Sequence, residues 1–327
     1  MKAVWLPIQA DRRWLLGIGV SLMVLNYCLK PLPLGLQWGF FIGSVLLTGI
    51  PHGALDHLVV AGTEARRHRA FSMRRFLVRY LLLMAIYALI WWQWPALALL
   101  AFMGCSAYHF GETDLAVLPD HHSVADRFLF IGYGWLFVSF LTLSHPAEAL
   151  PILAQLPGIE VSSAQFIAVV TAYAPAYSVG CSLLALGLLT YVWRTVGGRA
   201  CGILLLQSVV LGVVIATLPL LLAFTFYFAW WHAGLSLLAI RRYVVDELAP
   251  TTAQSPMLTW AQFIRRAGLF SGLAIGGMLC FILVGRQYAT LTDLLPAFLV
   301  GIAVLTLPHM TVMSDLFAWL RQRSVTA

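Results

Sequence analysis

Apolar runs long enough to cross a lipid bilayer recur from one end of this chain to the other, and that recurrence narrows the fold more than any motif does. Hydrocarbon offers no water to a backbone N–H or C=O, so a chain that crosses it repeatedly does so as helices or as a closed barrel. These runs have helix length, roughly twice what a barrel strand needs. The first, WLLGIGVSLMVLNYCL, follows Arg12 and Arg13 and is not trailed by a small-residue cleavage site, so it reads as a spanning helix and not as a cleavable signal peptide. Further spans are expected at about 34–62, 77–94, 96–113, 128–144, 174–193, 200–217, 219–240, 266–285 and 291–318. The fold is therefore read as all-α: one integral membrane domain over residues 1–327, a polytopic helical bundle of about ten transmembrane helices. A composition 61% hydrophobic and 10% charged agrees with it. The second and tenth spans are longer than a straight crossing needs, and Pro51 and Pro308 mark where each could bend or break. The turn at Trp94 and Pro95 is very short.

The formal charge of +7 is explained by topology. Arg12 and Arg13, the run EARRHRAFSMRR, Arg127, Arg194 with Arg199, Arg241 with Arg242, Arg265 with Arg266, and Arg321 with Arg323 all fall on one side of a ten-span chain. The other side contributes only Lys30 and Arg286. The positive-inside rule then places both termini in the cytoplasm and the protein, multi-pass, in the inner (plasma) membrane. Nothing is left over to suggest nucleic acid as a partner. Cys28, Cys105, Cys181, Cys201 and Cys280 form no CxxC pair and read as small buried hydrophobes. Phosphate-binding, dinucleotide-binding and nucleophile-elbow motifs are missing from the sequence.

The histidines carry the functional signal. The second, fourth, eighth and tenth spans run toward the basic side and carry His52 with His57, His109, His232 and His309 respectively. His57 and His232 each lie nine residues before a basic end, and His309 twelve before Arg321. At helical rise that is roughly 14 to 18 Å of depth, so the three can share one layer. His109 joins them only if its helix continues into GETD. A histidine facing lipid would leave its nitrogens without partners, so these rings are expected to face the bundle interior. Imidazoles from several helices at one depth suit a transition metal, with iron, zinc, copper and nickel all compatible.

In IPHGALDHLVV, His52 and Asp56 share a helix face, whereas His57 points about 140° from His52, so both reach one metal only if the backbone near Pro51 is distorted. Gly53 would permit a close approach. Asp56 suits an orienting carboxylate better than a ligand. In CSAYHFGETD, His109 shares its face with Cys105 and Glu112, and Asp114 follows at the end of the span. FTFYFAWWHAGLS surrounds His232 with aromatic residues that fit either an elongated conjugated ligand or ordinary helix packing, and Ser236 could bond a backbone carbonyl. In LPHMTVMSDLF, Pro308 and His309 echo Pro51 and His52. His68, His121, His122 and His145 lie in loops or at a span end and read as solvated.

Taken together, PHGALDH, SAYHFGETD and FYFAWWHAGLS resemble the bacterial and archaeal Brp/Blh family of integral membrane β-carotene 15,15'-dioxygenases, over roughly residues 35–318. The resemblance implies an Fe(II) enzyme that uses dioxygen to cleave β-carotene at its central double bond into two molecules of retinal. It maps the family's ligand histidines onto His52, His109 and His232. A further family histidine falls where this chain has Ser236. Either His57 or His309 then supplies the missing nitrogen, or iron has three histidines, or the activity differs. Asp56, Glu112 and Asp114 would orient histidines or close polar networks. Implied partners are β-carotene, dioxygen, membrane lipid and a retinal-accepting protein. Another membrane iron oxidase acting on a lipid or carotenoid, and a carotenoid-binding or transport protein without chemistry, are the competing classes.

Overall fold

The computed structural model describes residues 2–29, 32–116, 124–156, 159, 162–248, 260–288 and 294–326. Lys30, His121 and His122 lie outside them. Helices make up the regular structure of the described residues: α1 (Lys2–Leu29), α2 (Leu34–Arg66), α3 (Met73–Gln93), α4 (Pro95–Asp114), α5 (Val124–Ser144), the short α6 (Pro146–Leu153), α7 (Ser163–Thr195), α8 (Gly198–Thr217), α9, α10 (Trp260–Gly285) and α11 (Leu295–Thr326). α9 is composite, running through Leu220–Thr225, a π-helical stretch Phe226–Ala233 and Gly234–Leu248.

Among the described residues eight helices are long and apolar enough to cross a bilayer, two fewer than the ten expected. The two that fall short are α1 and α4. Arg12 and Arg13 interrupt the first, and His109, Glu112 and Asp114 dilute the end of the second. Large apolar side chains cover the outside: Trp92, Leu269 and Leu283 are well exposed, a distribution that suits contact with acyl chains.

α9 is the innermost crossing, with 61% of its apolar window buried, against none in α7 and 6% in α10. α1, α2, α4, α5, α8 and α11 pack around it. Its Phe226, Tyr227 and Trp231 sit in the main apolar core with residues of α1, α5 and α8. A second core joins α2, α9, α10 and α11 through Val59, Tyr243, Phe263, Met313 and Phe317.

α4 and α5 pack backbone against backbone. A methyl group added at Gly111 would collide with the Phe130 carbonyl, and one at Gly134 with the Ala107 carbonyl. Small residues at such crossings are what let membrane helices approach this closely. Gly134→Ala is therefore expected to cost at least the roughly 1–3 kcal/mol of ordinary overpacking, because backbone cannot swing aside as a side chain can. Thermal unfolding in detergent would register it as a lowered midpoint.

Two irregular stretches of helix pack side by side in the bundle. In α2 the helix widens to π geometry over Val45–Gly49, resumes at Ile50–Ala54, and breaks at Leu55 (φ −93°, ψ 0°) before Asp56–Arg66. Pro51 has no N–H to donate, and its ring would crowd the carbonyl one turn back, so the wider turn relieves it. Pro308 by contrast sits inside an unbroken α11. The second π stretch, Phe226–Ala233, contains no proline; its Trp230 indole N–H donates to Ser44 Oγ at 2.9 Å, which ties it to α2 beside the first.

Candidate metal centre

Four helices deliver one imidazole each to a common buried point. His52 from α2, His109 from α4, His232 from α9 and His309 from α11 are each no more than 6% exposed. Ring centroids are 4.8 Å apart for His52 and His309, 5.2 Å for His309 and His109, 4.7 Å for His109 and His232, and 5.8 Å for His232 and His52. The four pairs close a circuit, and in every pair the planes are within 12° of perpendicular (interplanar angles 87°, 89°, 78° and 89°). His109 reaches the circuit because α4 does continue helical to Asp114, the condition on which its depth depended.

His57 stands elsewhere. Its ring packs on Phe270 and Phe76, with centroids at 4.9 and 6.5 Å, and its Nδ1 lies 3.0 Å from the Ala54 carbonyl. The break at Leu55 does not swing it round to His52. Gly53 is not forced to be small either, since a Cβ there would come only within 3.9 Å of His309 Nδ1.

The nitrogens of the circuit are short of partners. His52 Nδ1, both nitrogens of His109, His232 Nδ1 and His309 Nε2 are buried with no hydrogen bond. Buried polar atoms are ordinarily paired, so five orphans on four touching rings require an explanation. The other nitrogen of His309 is well held: Nδ1 donates to both carboxylate oxygens of Asp56, at 2.8 and 3.0 Å, and Tyr80 donates its hydroxyl to Asp56 Oδ2 at 3.1 Å. A carboxylate only accepts, so His309 Nδ1 carries the proton of this contact, while Nε2 is left without a hydrogen bond.

The two remaining carboxylates do different things. Glu112 accepts from Tyr108 and from Ser314 of α11, both at 3.1 Å, and so joins α4 to α11 beside the circuit. Asp114 accepts from the Trp231 indole at 2.9 Å and the Tyr227 hydroxyl at 3.3 Å, which pins the π stretch that carries His232. Arg12, expected only as a basic flank, is 2% exposed and reaches in from α1 to donate to the carbonyls of Asp114 at 2.6 Å and Thr113 at 3.4 Å. Its guanidinium also reaches Gln207 at 3.1 Å and lies 5.7 Å from the Trp231 ring centroid. It caps the end of α4 and offsets the buried charge of Asp114. Asp114→Ala would leave the Trp231 and Tyr227 donors unpaired and remove the carboxylate near Arg12, whose own hydrogen bonds go to backbone carbonyls and Gln207; it is expected to cost about 1–3 kcal/mol, read as a fall in thermal midpoint, whereas Asp114→Asn keeps the shape and costs less.

Three other histidine and serine expectations resolve differently. His68 is exposed in the basic loop, as expected. His145 is buried, not solvated: its Nε2 lies 2.7 Å from the Leu218 carbonyl and its Nδ1 3.0 Å from that of Leu141, which ties the end of α5 to the turn before α9. Ser236 is fully buried, and its hydroxyl makes no bond to a backbone carbonyl or to anything else. Of the cysteines only Cys201 is buried; Cys28 and Cys280 are exposed.

Among the described residues no group of three or more His, Cys, Asp or Glu side chains is placed so that it could hold a metal ion. The rings lie edge to face on one another instead. The family model for β-carotene 15,15'-dioxygenase matches residues 43–317, a stretch that contains all four histidines of the circuit. The chain belongs to the β-carotene 15,15'-dioxygenase family. Relatives across nearly the whole length agree. The chain is 25% identical over 301 residues to the "Beta-carotene 15,15'-dioxygenase" of uncultured marine bacterium 66A03, covering 91% of this chain and 96% of that protein. It is 27% identical over 314 residues to the "Probable beta-carotene 15,15'-dioxygenase Blh" of Halobacterium salinarum, covering 84% and 82%. No solved structure matches. Within this dioxygenase family, α1 with its Arg12 lies ahead of the matched stretch.

Proposed function

We propose that this member of the family is an Fe(II)-dependent enzyme that cleaves β-carotene at its central 15,15' double bond with dioxygen, giving two molecules of retinal. The observation that carries it is the closed circuit of four buried imidazoles with orphaned nitrogens, one from each of four helices. The spacing is close to that of rings sharing one ion. A nitrogen about 2.1 Å from a metal puts its ring centroid about 3.2 Å away, so rings sharing it stand about 4.5 Å apart at right angles and about 5.2 Å apart at the tetrahedral angle. Three of the four separations, 4.7, 4.8 and 5.2 Å, fall in that range, and His232–His52 at 5.8 Å exceeds it, so the rings would have to draw closer to share an ion. His52, His109, His232 and His309 would hold the iron, with His309 taking the place that Ser236 leaves.

Iron, when bound, supplies the one-electron and dioxygen chemistry that no side chain can. The chain's own residues do the rest. Asp56 fixes the tautomer and direction of His309, with Tyr80 holding Asp56. Asp114 and Arg12 hold the π stretch of α9 against α4, which sets His232 against His109. Phe110, 4.7 Å from His232, and Phe228, 6.2 Å from His52, wall the circuit with aromatic surface that suits a polyene and restricts water. The reaction balances without an external reductant: one dioxygen is consumed per polyene, the C=C bond is lost, and each aldehyde keeps one oxygen. The protein works in the inner membrane on substrate dissolved there, and a retinal-accepting protein would take up the product.

Purified protein is expected to hold about one iron per chain, to lose cleavage on chelation and to regain it with Fe(II). Metal analysis and chromatography of pigments after aerobic incubation with β-carotene check both halves. Iron without retinal would mean another membrane oxidase; cleavage undiminished in iron-free protein would overturn the mechanism.

A further inference from the structure

We propose that the outer face of α3 is a binding site for an anionic phospholipid. Ser72, Arg74, Arg75, Val78, Arg79 and Leu82 line one cleft of about 530 Å3 at the start of this helix. The three guanidiniums have no acidic partner among the described residues, whose exposed ion pair joins Arg67 to Asp315 instead. Arg79 lies six residues beyond Met73, so about 9 Å along the axis of a spanning helix. Its apolar neighbours there are exposed. Val78, Leu82, Ile86 and Leu89, at helical spacing, are 59%, 57%, 46% and 59% exposed and continue the cleft as an aliphatic stripe.

A charged group at this depth is stable only if it snorkels to the interface and finds a counter-charge. Guanidinium forks match a phosphate, and three of them around one cleft hold it from more than one side. Free phosphate would satisfy the arginines but leave the stripe below without purpose. An amphiphile with an anionic head and an acyl chain meets both, the head in the cleft and the chain along Val78, Leu82 and Ile86. The opposite face of the same helix presents Tyr80 to Asp56, so the lipid would bear on the element that braces the histidine circuit.

The full chain reconstituted in phosphatidylcholine vesicles doped with phosphatidylglycerol, then gently extracted, tests this by the phosphatidylglycerol that co-purifies per protein. Wild type is expected to enrich phosphatidylglycerol over its bulk fraction. Arg75→Gln/Arg79→Gln should lower that enrichment by roughly five-fold per guanidinium at low salt, and Arg79→Gln alone should show the first step if the double variant does not fold. Arg194→Gln/Arg199→Gln, at a basic turn outside the cleft, should leave it unchanged. Equal loss in both double variants would reduce the effect to general surface charge and overturn the site, as would undiminished enrichment in a folded Arg79→Gln. Displacement of phosphatidylglycerol by inorganic phosphate at equal concentration would also overturn it, since the acyl contacts would then contribute nothing. Every readout is lipid content, so the outcome is independent of the proposed reaction.

Discussion

His309→Ala is expected to abolish iron retention and retinal formation, while His57→Ala leaves both in place. The two residues are the sequence's alternatives for the nitrogen that Ser236 lacks, and the structure puts them in different surroundings. His309 lies within 5.2 Å of two other rings of the circuit, with Nε2 free and Nδ1 clamped by Asp56. His57 is packed between Phe76 and Phe270 with Nδ1 on its own helix. Loss of an outer partner alone typically lowers metal affinity 10–100-fold, so removal of a ligand together with the acceptor of its clamp should lower it by more than about 100-fold. Iron stoichiometry by metal analysis, on protein shown to be folded by its helical circular dichroism, is the measurement. The alanine at 309 also leaves Asp56 buried with Tyr80 as its remaining partner, which is expected to cost about 1–3 kcal/mol even without metal. Retention of iron by the His309 variant and its loss in the His57 variant would reverse the assignment.

The contrast between those two histidines also shows how far sequence reasoning reaches. Depth was legible in part: counting residues from each histidine to the next arginine puts His57, His232 and His309 in one layer, of which His232 and His309 join the circuit while His57 packs on Phe270 and Phe76. Direction on a single helix was legible too, since five residues turn His57 away from His52 whatever lies around them. Which side chain meets which across helices was not. Asp56 and His309 are 253 residues apart, and no local pattern announces that the carboxylate of one motif clamps the imidazole of another. The π stretch at Phe226–Ala233 left no trace in the sequence, since it contains no proline and its tie to α2 is a contact between residues 186 apart. Arg12 was the most misleading residue. Its position before an apolar run is what a cytoplasmic flank looks like, and only the fold reveals that α4 ends against it. Likewise His145 beside Pro146 reads as a surface histidine until the Leu218 carbonyl is brought to it. The missing signals are long-range pairings, which periodicity does not encode.

Asp56→Asn separates orientation from coordination. The amide keeps the size of the carboxylate and can still accept from His309 Nδ1 through one oxygen, so the fold should survive with a loss of about 1 kcal/mol. What disappears is the negative charge and one of the two contacts, at 2.8 and 3.0 Å, that hold the ring. The amide nitrogen also cannot accept from Tyr80. Iron affinity is expected to fall about 10–100-fold, with turnover per bound iron reduced as well because His309 becomes less basic and less fixed. Asp114→Asn provides the comparison. It too neutralises a buried carboxylate, but one that touches Trp231 and Tyr227 and not an imidazole. If Asp114→Asn lowers stability more than iron affinity while Asp56→Asn does the reverse, the two carboxylates have the separate roles their contacts give them. Equal effects of both on iron affinity would mean that the carboxylates act through the general electrostatics of the bundle, and the clamp on His309 would not be what orders the site.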